Sequence, residues 1–403
     1  MAALCYIAYP NSPDLRSANA VQTFNTLREL RRLDPAMLAI VPRMRRGPSA
    51  FDAVGAVHLP RIGIGRLSRL HKSTLWYYAE RSAWAWMVIA YLLLLRLRGR
   101  RYPVVYVREV VLAFWLSLLL PPLTGAAVVY EVHHLESENH SRAKERWAQG
   151  LVLLLDRVTL SRPARLVSLT AAFRTWLASE GLRSAADVAV LPDAYDAAVY
   201  APQDRAAARA ALGLEQSATL AVYAGLTFAY RGVDRLLDAL AEVPGLGLAL
   251  VGGRDAERAE LRARAERLGV AGRVRFVTPQ PAPEVARWLA AADILVVPDT
   301  VTDITASPLK LFEYMAMARP VICPDIPALR EITGDDGALH VQRGSTEALA
   351  LALGRLASDP ELRATLGERA SVAVAPHTYA NRARTLLAVV STLPEPCRSL
   401  TSG

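Results

Sequence analysis

Lysine is almost absent from this chain. Of its 47 basic residues only Lys72, Lys144 and Lys310 are lysines, an arginine bias of the kind that GC-rich coding produces. Cysteine is scarce too. Cys5, Cys323 and Cys397 are odd in number and far apart, with no Cys-x-x-Cys pair and no Cys/His cluster. That excludes a disulfide framework, gives no sign of a zinc site and fits a reducing compartment. Long hydrophobic runs are also missing. Residues 83–95 are uncharged but too few to span a bilayer. Residues 110–130 are long enough by count, yet Pro121-Pro122 and Gly125 divide them into helix (110–120), turn (121–125) and buried strand (126–131). The first residues, MAALCYIAYPNSPD, have neither a basic leader nor a long apolar stretch, so they read as a buried strand over 2–8 and a cytoplasmic chain is expected.

What is present is the raw material of large cores. The chain has 403 residues, 52% hydrophobic and 21% charged, enough for two or three domains and incompatible with a disordered or fibrous protein. The formal charge of +9 is unevenly placed: residues 1–190 carry +12 and the remainder −3. A basic front half calls for an anionic partner. Within it, Trp76, Tyr77, Tyr78, Trp84, Trp86 and Tyr91 precede Arg96, Arg98, Arg100 and Arg101. Residues 73–98 therefore suit a helix lying on the inner face of an anionic membrane, and equally an amphipathic core helix with a solvated arginine end. No nucleic-acid module is recognisable among the basic residues.

Short β-branched runs alternate with helical patterns along the whole chain. The runs are 2–8, 36–41, 54–59, 103–107, 126–132 and 165–170, then 219–224, 246–251, 273–277, 293–297, 320–323 and 338–341. Helical patterns such as 233–242, 255–268, 283–291, 308–318 and 346–357 lie between them, and a last helix covers 379–391. This is α/β: two doubly wound domains with parallel sheets. The turn-rich Leu191-Pro192-Asp193-Ala194-Tyr195-Asp196 marks the division, giving domains of 1–190 and 191–375 and a closing segment of 376–395. Sites belong at the carboxyl ends of the strands, in a crevice between the domains.

The most informative stretch begins at Ser307. Ser307 reads as a helix N-cap and Pro308 as the first helical residue. Lys310 then stands in the first turn, where the helix dipole disfavours a cation, which suggests a phosphate between them. Leu309, Phe312, Glu313 and Ala316 share one stripe, so Glu313 faces inward and needs a polar partner such as ribose hydroxyls. A second segment, Ala224 to Asp234, places Gly225 after a strand and Arg231 near a helix start, an arrangement that cradles diphosphates. Gly252 and Gly253 end another strand and could admit a flat base against the backbone. His133 and His134 sit at the end of a front-half strand. Alternation lets at most one face a substrate, and His133 shares its face with Glu131. Asp335-Asp336 reads as a turn, not a metal pair.

These residues resemble, in order, the signature of family 4 glycosyltransferases: Ser307-Pro-Leu-Lys…Glu313-Tyr-Met-Ala…Arg319-Pro-Val-Ile, preceded by Tyr223-Ala-Gly225…Arg231-Gly-Val-Asp, Leu250-Val-Gly-Gly253, Val274-Arg-Phe-Val277, Ala292-Asp-Ile-Leu-Val-Val-Pro298 and the Leu191 to Asp196 turn. The resemblance implies the GT-B fold, two Rossmann-like domains facing a cleft, and a retaining, metal-independent transfer from a nucleotide sugar with no cofactor. It implies donor contacts at Gly225, Arg231, Gly252, Gly253, Thr305, Ser307, Pro308, Leu309, Lys310 and Glu313, with Glu313 on the ribose and Lys310 and Arg231 on the diphosphate. The front domain would take the acceptor near Ser17 and Asn19, and His133, Arg231 and Lys310 would carry the chemistry. Three positions depart from the family. Thr305 stands where a glutamate is usual, Leu226 where an arginine is usual, and Ser17-Ala-Asn-Ala where paired glycines are usual. The expected function is transfer to a lipid-linked or glycan acceptor in cell-envelope synthesis. The alternatives are a soluble enzyme with a small-molecule acceptor, a non-catalytic nucleotide-sugar binder, and an epimerase, which would need a crowd of acids not seen here.

Overall fold

The structure is a computed structural model that describes residues 3–10, 12–44, 46–61, 74–138, 149–300 and 302–393. Lys72, Lys144, Cys397, His71, His140, Ala2 of the expected 2–8 strand and the end of the 376–395 segment lie outside them. The chain forms two compact units: Met1–Pro192 with Ala380–Gly403, and Asp193–Tyr379.

Unit 1 runs β1 (Leu4–Ile7), α1 (Ala18–Leu33), β2 (Leu38–Pro42), β3 (Val57–Leu59), α2 (Thr74–Leu97), β4 (Val104–Val107), α3 (Val110–Thr124), β5 (Ala127–Val132), α4 (Gln149–Ser161), β6 (Arg165–Ser168), α5 (Ala171–Ser179) and β7 (Val188–Val190). Its seven strands are parallel, in the order β3-β2-β1-β4-β5-β6-β7. Strands covered on both faces read as unbroken apolar runs, which is why β1 and β4 are buried at every position. Register sets Tyr6 opposite Tyr106, and their rings stack with centroids 5.1 Å apart.

Unit 2 runs α6 (Arg205–Ala211), β8 (Leu220–Gly225), α7 (Val233–Ala241), β9 (Gly247–Gly252), α8 (Asp255–Arg267), β10 (Val274–Val277), α9 (Ala282–Ala291), β11 (Ile294–Val296), α10 (Leu309–Ala316), β12 (Val321–Pro324), α11 (Pro327–Thr333), β13 (Leu339–Val341), α12 (Thr346–Ser358) and α13 (Pro360–Val374). Its six parallel strands are ordered β10-β9-β8-β11-β12-β13. The winding direction reverses between β1 and β4 in one sheet and between β8 and β11 in the other. Such reversals open a crevice at the carboxyl ends of the strands.

The last helix, α14 (Tyr379–Ser391), returns the chain to unit 1. Its Ala383, Leu386 and Val390 are buried in the same cluster as Leu27, Leu30, Tyr106 and Val129.

Three elements differ from the sequence reading. β7 is a strand of three residues, too short to stand out from the turn that follows it. α3 does not stop at 120 but continues through Pro121 and Pro122 to Thr124. Prolines in a last turn lose only two N–H groups, and Gly125, left-handed at φ 74°, closes the helix through its N–H to Pro121 O at 2.9 Å. α2 is buried along one part of its surface and exposed along another. Tyr78, Trp84, Val88 and Leu92 are buried, whereas Trp86, Leu94 and Leu97 are 49%, 41% and 85% exposed beside exposed Arg96, Arg98 and Arg100. Among the described residues, no helix is long and apolar enough to cross a membrane.

Candidate functional site

The glycine and lysine motifs of unit 2 meet at the carboxyl end of β8. Gly225 ends that strand at φ +139°, where a side chain is strained, and a Cβ there would lie 2.9 Å from Lys310 Nζ. The backbone thus comes up against the lysine because nothing projects from it. Gly252 ends β9 alongside. A Cβ on it would be 2.5 Å from Gly225 O, and the Gly253 N–H donates to that same oxygen at 3.0 Å. This glycine pair is therefore demanded by the packing of one strand-end loop on another. Thr227, which packs against Gly253, donates from Oγ1 to Glu257 Oε2 at 2.8 Å.

Lys310 stands in the first turn of α10 with its Nζ 3.9 Å from the centroid of the Tyr223 ring. It has no ion pair among the described residues. Burial, and then the positive charge of Arg231, push its pKa well below the usual lysine range, with Glu313 opposing. Arg231 ends the short turn Ala229–Arg231 ahead of α7 and also makes no ion pair among the described residues; its guanidinium lies 5.1 Å from the Tyr230 ring centroid. Lys310 and Arg231, with Glu313 the carboxylate that acts on the lysine, thus set two positive charges near the start of a helix, where N–H groups and dipole favour an anion.

Helix α10 is tied to β8 by a residue that the sequence reading passed over. The buried Tyr314 hydroxyl accepts from Ala224 N at 2.6 Å and donates to Ala224 O at 3.1 Å. β11 pairs with β8 only as far as Val222, so this phenol stands in for a strand partner one step further on. One residue earlier, Glu313 accepts a hydrogen bond from Tyr200. Burial lifts the Glu313 carboxyl to about 7 against the lowering effects of Tyr200 and Lys310. Tyr200 and Tyr223 likewise gave no signal in sequence, since a lone tyrosine in an apolar run reads as core.

Two capping expectations are corrected. The helix begins at Leu309, with Pro308 and not Ser307 at its N-cap position. Ser307 Oγ instead accepts from the backbone N–H of Asp193 at 3.1 Å. Thr305 pairs with Thr302 through their hydroxyls at 2.5 Å. The loop before it is held by Arg343, which donates to Asp299 at 2.8 Å and to Thr300 O at 2.6 Å and also pairs with Asp303.

In unit 1, Ser17 is an N-cap: its Oγ accepts from Ala20 N at 3.3 Å at the start of α1. Asn19 lies in the first turn of that helix, and its buried Oδ1 has no hydrogen-bond partner among the described residues. His133 follows β5, and its Nε2 lies 2.9 Å from Glu131 Oε1. His134 pairs with Glu136 at 3.2 Å and is half exposed. Glu131 is buried completely. It joins Arg108 of the β4 end to Arg382 of α14, a partner 251 residues away that sequence spacing could not reveal. Among the described residues, no group of three or more His, Cys, Asp or Glu side chains is placed to hold a metal ion.

Residues 218–359 match the family model described as glycosyl transferases group 1. A D-inositol 3-phosphate glycosyltransferase of Segniliparus rotundus is 33% identical over 192 residues, covering 46% of this chain and 42% of that protein. The match thus spans less than half the length of that relative. Among solved structures, a sucrose-phosphate synthase from Thermosynechococcus elongatus superposes with a TM-score of 0.76 at 18% identity, covering 97% of this chain and 99% of the other. Anabaena Alr3699/HepE in complex with UDP superposes at 0.73 with 17% identity, covering 97% and 100%. The fold, two parallel-sheet Rossmann-like units, is that of the GT-B glycosyltransferases.

Proposed function

We propose that this chain, whose residues 218–359 are a glycosyl transferases group 1 segment, moves a sugar from a nucleotide-sugar donor to a hydroxyl acceptor, with retention and without a metal. The observation that carries the reading is the pair of cations at the end of β8: Lys310 and Arg231 have no counter-ion among the described residues and flank the start of α10.

In this reading the diphosphate of the donor is held by these two cations. The bond from the anomeric carbon to the β-phosphate oxygen breaks, and its electron pair goes to that oxygen. Lys310, Arg231 and the first N–H groups of α10 stabilise the growing negative charge in a fixed geometry. For retention, the acceptor oxygen bonds to the anomeric carbon on the face the diphosphate leaves, and the acceptor proton passes to the departing phosphate oxygen. Glu313 takes the ribose hydroxyls, its carboxyl already held by Tyr200. The complex of HepE with UDP, a protein of the same fold, makes UDP the first nucleotide to try.

We further infer that the acceptor is lipid-linked or glycan and is met at an anionic membrane surface during cell-envelope synthesis. The exposed Trp86, Leu94 and Leu97 of α2, beside Arg96, Arg98 and Arg100, support this. A small-molecule acceptor is the second reading, favoured by the Segniliparus relative, a D-inositol 3-phosphate glycosyltransferase.

A thermal-shift screen with UDP, GDP, ADP and dTDP sugars tests the donor assignment. One of them should raise the melting temperature of the protein, and Lys310→Ala and Arg231→Ala should each lower turnover by about 10²- to 10³-fold while the protein stays folded. Wild-type turnover in both variants would remove the phosphate assignment. Flotation with anionic and neutral liposomes separates the two acceptors: binding to neither vesicle favours the small molecule.

A further inference from the structure

β5 ends in a carboxylate with every acceptor site filled. Glu131 is completely buried. Its Oε1 accepts from Arg108 Nε at 3.0 Å and from His133 Nε2 at 2.9 Å. Its Oε2 accepts from Arg382 Nη2 at 2.8 Å and from the Tyr106 hydroxyl. A carboxylate has about four lone-pair sites, so four donors from β4, the β4 end, the β5 end and α14 saturate it. Arg108 is held in turn by α1: Nη1 donates to Thr23 Oγ1 at 2.6 Å and Nη2 to Gln22 Oε1. Only the His133 ring, with 23% of its surface exposed, reaches solvent from this cluster.

We propose that Glu131 is a positioning residue which, with Arg108 and Arg382, fixes His133 as the neutral Nε2–H tautomer, so that Nδ1 is offered to a substrate hydroxyl as a hydrogen-bond acceptor. The proposal rests on the transferase reading only for what meets Nδ1. The tautomer follows from the contacts. His133 Nε2 lies 2.9 Å from a carboxylate oxygen and 3.1 Å from Arg108 Nη2. An imidazole lone pair cannot sit against an ionised carboxylate at that distance without repulsion. An N–H there makes a charge-assisted bond at the shorter of the two contacts, and Arg108 Nη2, which gives one of its two N–H groups to Gln22, stays at the longer one.

The surrounding charges keep each group in its state. Burial raises the Glu131 carboxyl, but Arg382 and Arg108 outweigh it and hold the group well below the usual range, ionised. Burial, then Arg108, push His133 down to about 4 against the opposing pull of Glu131, with His134 adding slightly to the fall. The phenols that face the cluster, Tyr6 of β1 and Tyr106 of β4, are both raised by burial and stay protonated. At neutral pH, His133 is therefore an acceptor at Nδ1 and is neither an acid nor a cation.

Proton-coupled nitrogen spectra of the full chain carrying ¹⁵N-histidine test this, with the His133 signal identified by its loss in His133→Asn. The expected ring carries a proton on Nε2 and none on Nδ1 from pH 5.5 to 8. A proton on Nδ1 alone, or on both nitrogens at pH 7, overturns the proposal. Glu131→Gln replaces an acceptor by a group whose amide competes to donate, so the ring proton should move to Nδ1. Turnover number should then fall about 10- to 100-fold, with the KM for donor within twofold and nucleotide-induced thermal stabilisation retained. An unchanged tautomer and turnover number in that variant also overturns it. Should Glu131→Gln fail to fold, the wild-type spectrum alone decides. Absence of transfer by the wild-type chain counts against the transferase reading and leaves the spectrum to decide this one.

Discussion

Replacing Lys310 by methionine should make the protein more stable and useless at once. The lysine sits against the Tyr223 ring with no carboxylate paired to it, and burial depresses its pKa from 10.5. A lysine whose folded pKa is lowered binds more protons in the unfolded chain, so folding is penalised in full below the folded value and less and less up to about 10.5, and stability rises with pH across that window. Each unit of depression costs about 1.4 kcal/mol, and the partial exposure of the residue discounts the total. Methionine keeps the stem in contact with the ring and removes the charge. The expected gain for the nucleotide-free protein at pH 7 is about 1–2 kcal/mol, or about 2–8 °C in melting temperature for a unit of this size. The gain should shrink as the pH is raised toward 10. Adding UDP at a hundred times its Kd should stabilise the wild type by about 2.7 kcal/mol and the variant far less, so that the two melting curves exchange order. Differential scanning fluorimetry at three pH values, with and without UDP, reads all of this. A Lys310→Met protein that melts below the wild type without nucleotide, or that keeps its full response to UDP, refutes the reasoning.

Two further substitutions probe the same scaffold. Tyr314→Phe leaves the N–H and C=O of Ala224 without their hydroxyl partner and should cost about 2–3 kcal/mol in urea unfolding, with an unchanged m-value. Gly225→Ala puts a methyl group 2.9 Å from Lys310 Nζ at a strained φ, so turnover should fall more than stability does; equal losses would mean a folding defect and not a displaced lysine.

The sheet strands were legible where the physics is local. A buried parallel strand needs a short run of apolar residues, and β1, β4, β5, β8, β9 and β12 announce themselves that way. β7 did not, since three residues carry no period, and α3 outran its expected end by carrying Pro121 and Pro122, residues that ordinarily follow a helix, inside its last turn. In the candidate site, the glycines and Lys310 stood out because they occupy places that propensity would not choose. Gly225 stands at a conformation side chains avoid, and Lys310 lies against a helix dipole. The side chains that hold them were silent. Tyr314 and Tyr223 lie in apolar stripes where an aromatic residue is ordinary, and Arg382 meets Glu131 only through the return of α14. Ser307 shows the opposite error. Its place before a proline suits a cap, but a backbone N–H of the distant Asp193 claims its hydroxyl.

The return of α14 also has a consequence for how the protein is made. Unit 1 cannot bury Tyr106 and Val129 against Ala383, Leu386 and Val390, nor complete the donors around Glu131, until the ribosome has added nearly two hundred residues beyond β7. At about 5–20 residues per second that is a wait on the order of ten to forty seconds, during which Asp193–Tyr379 emerges whole. The second half of the polypeptide is thus free to fold first, and the first half waits for its last helix. Through that interval Glu131 waits for Arg382, and Tyr106 and Val129 wait for the apolar residues that α14 brings.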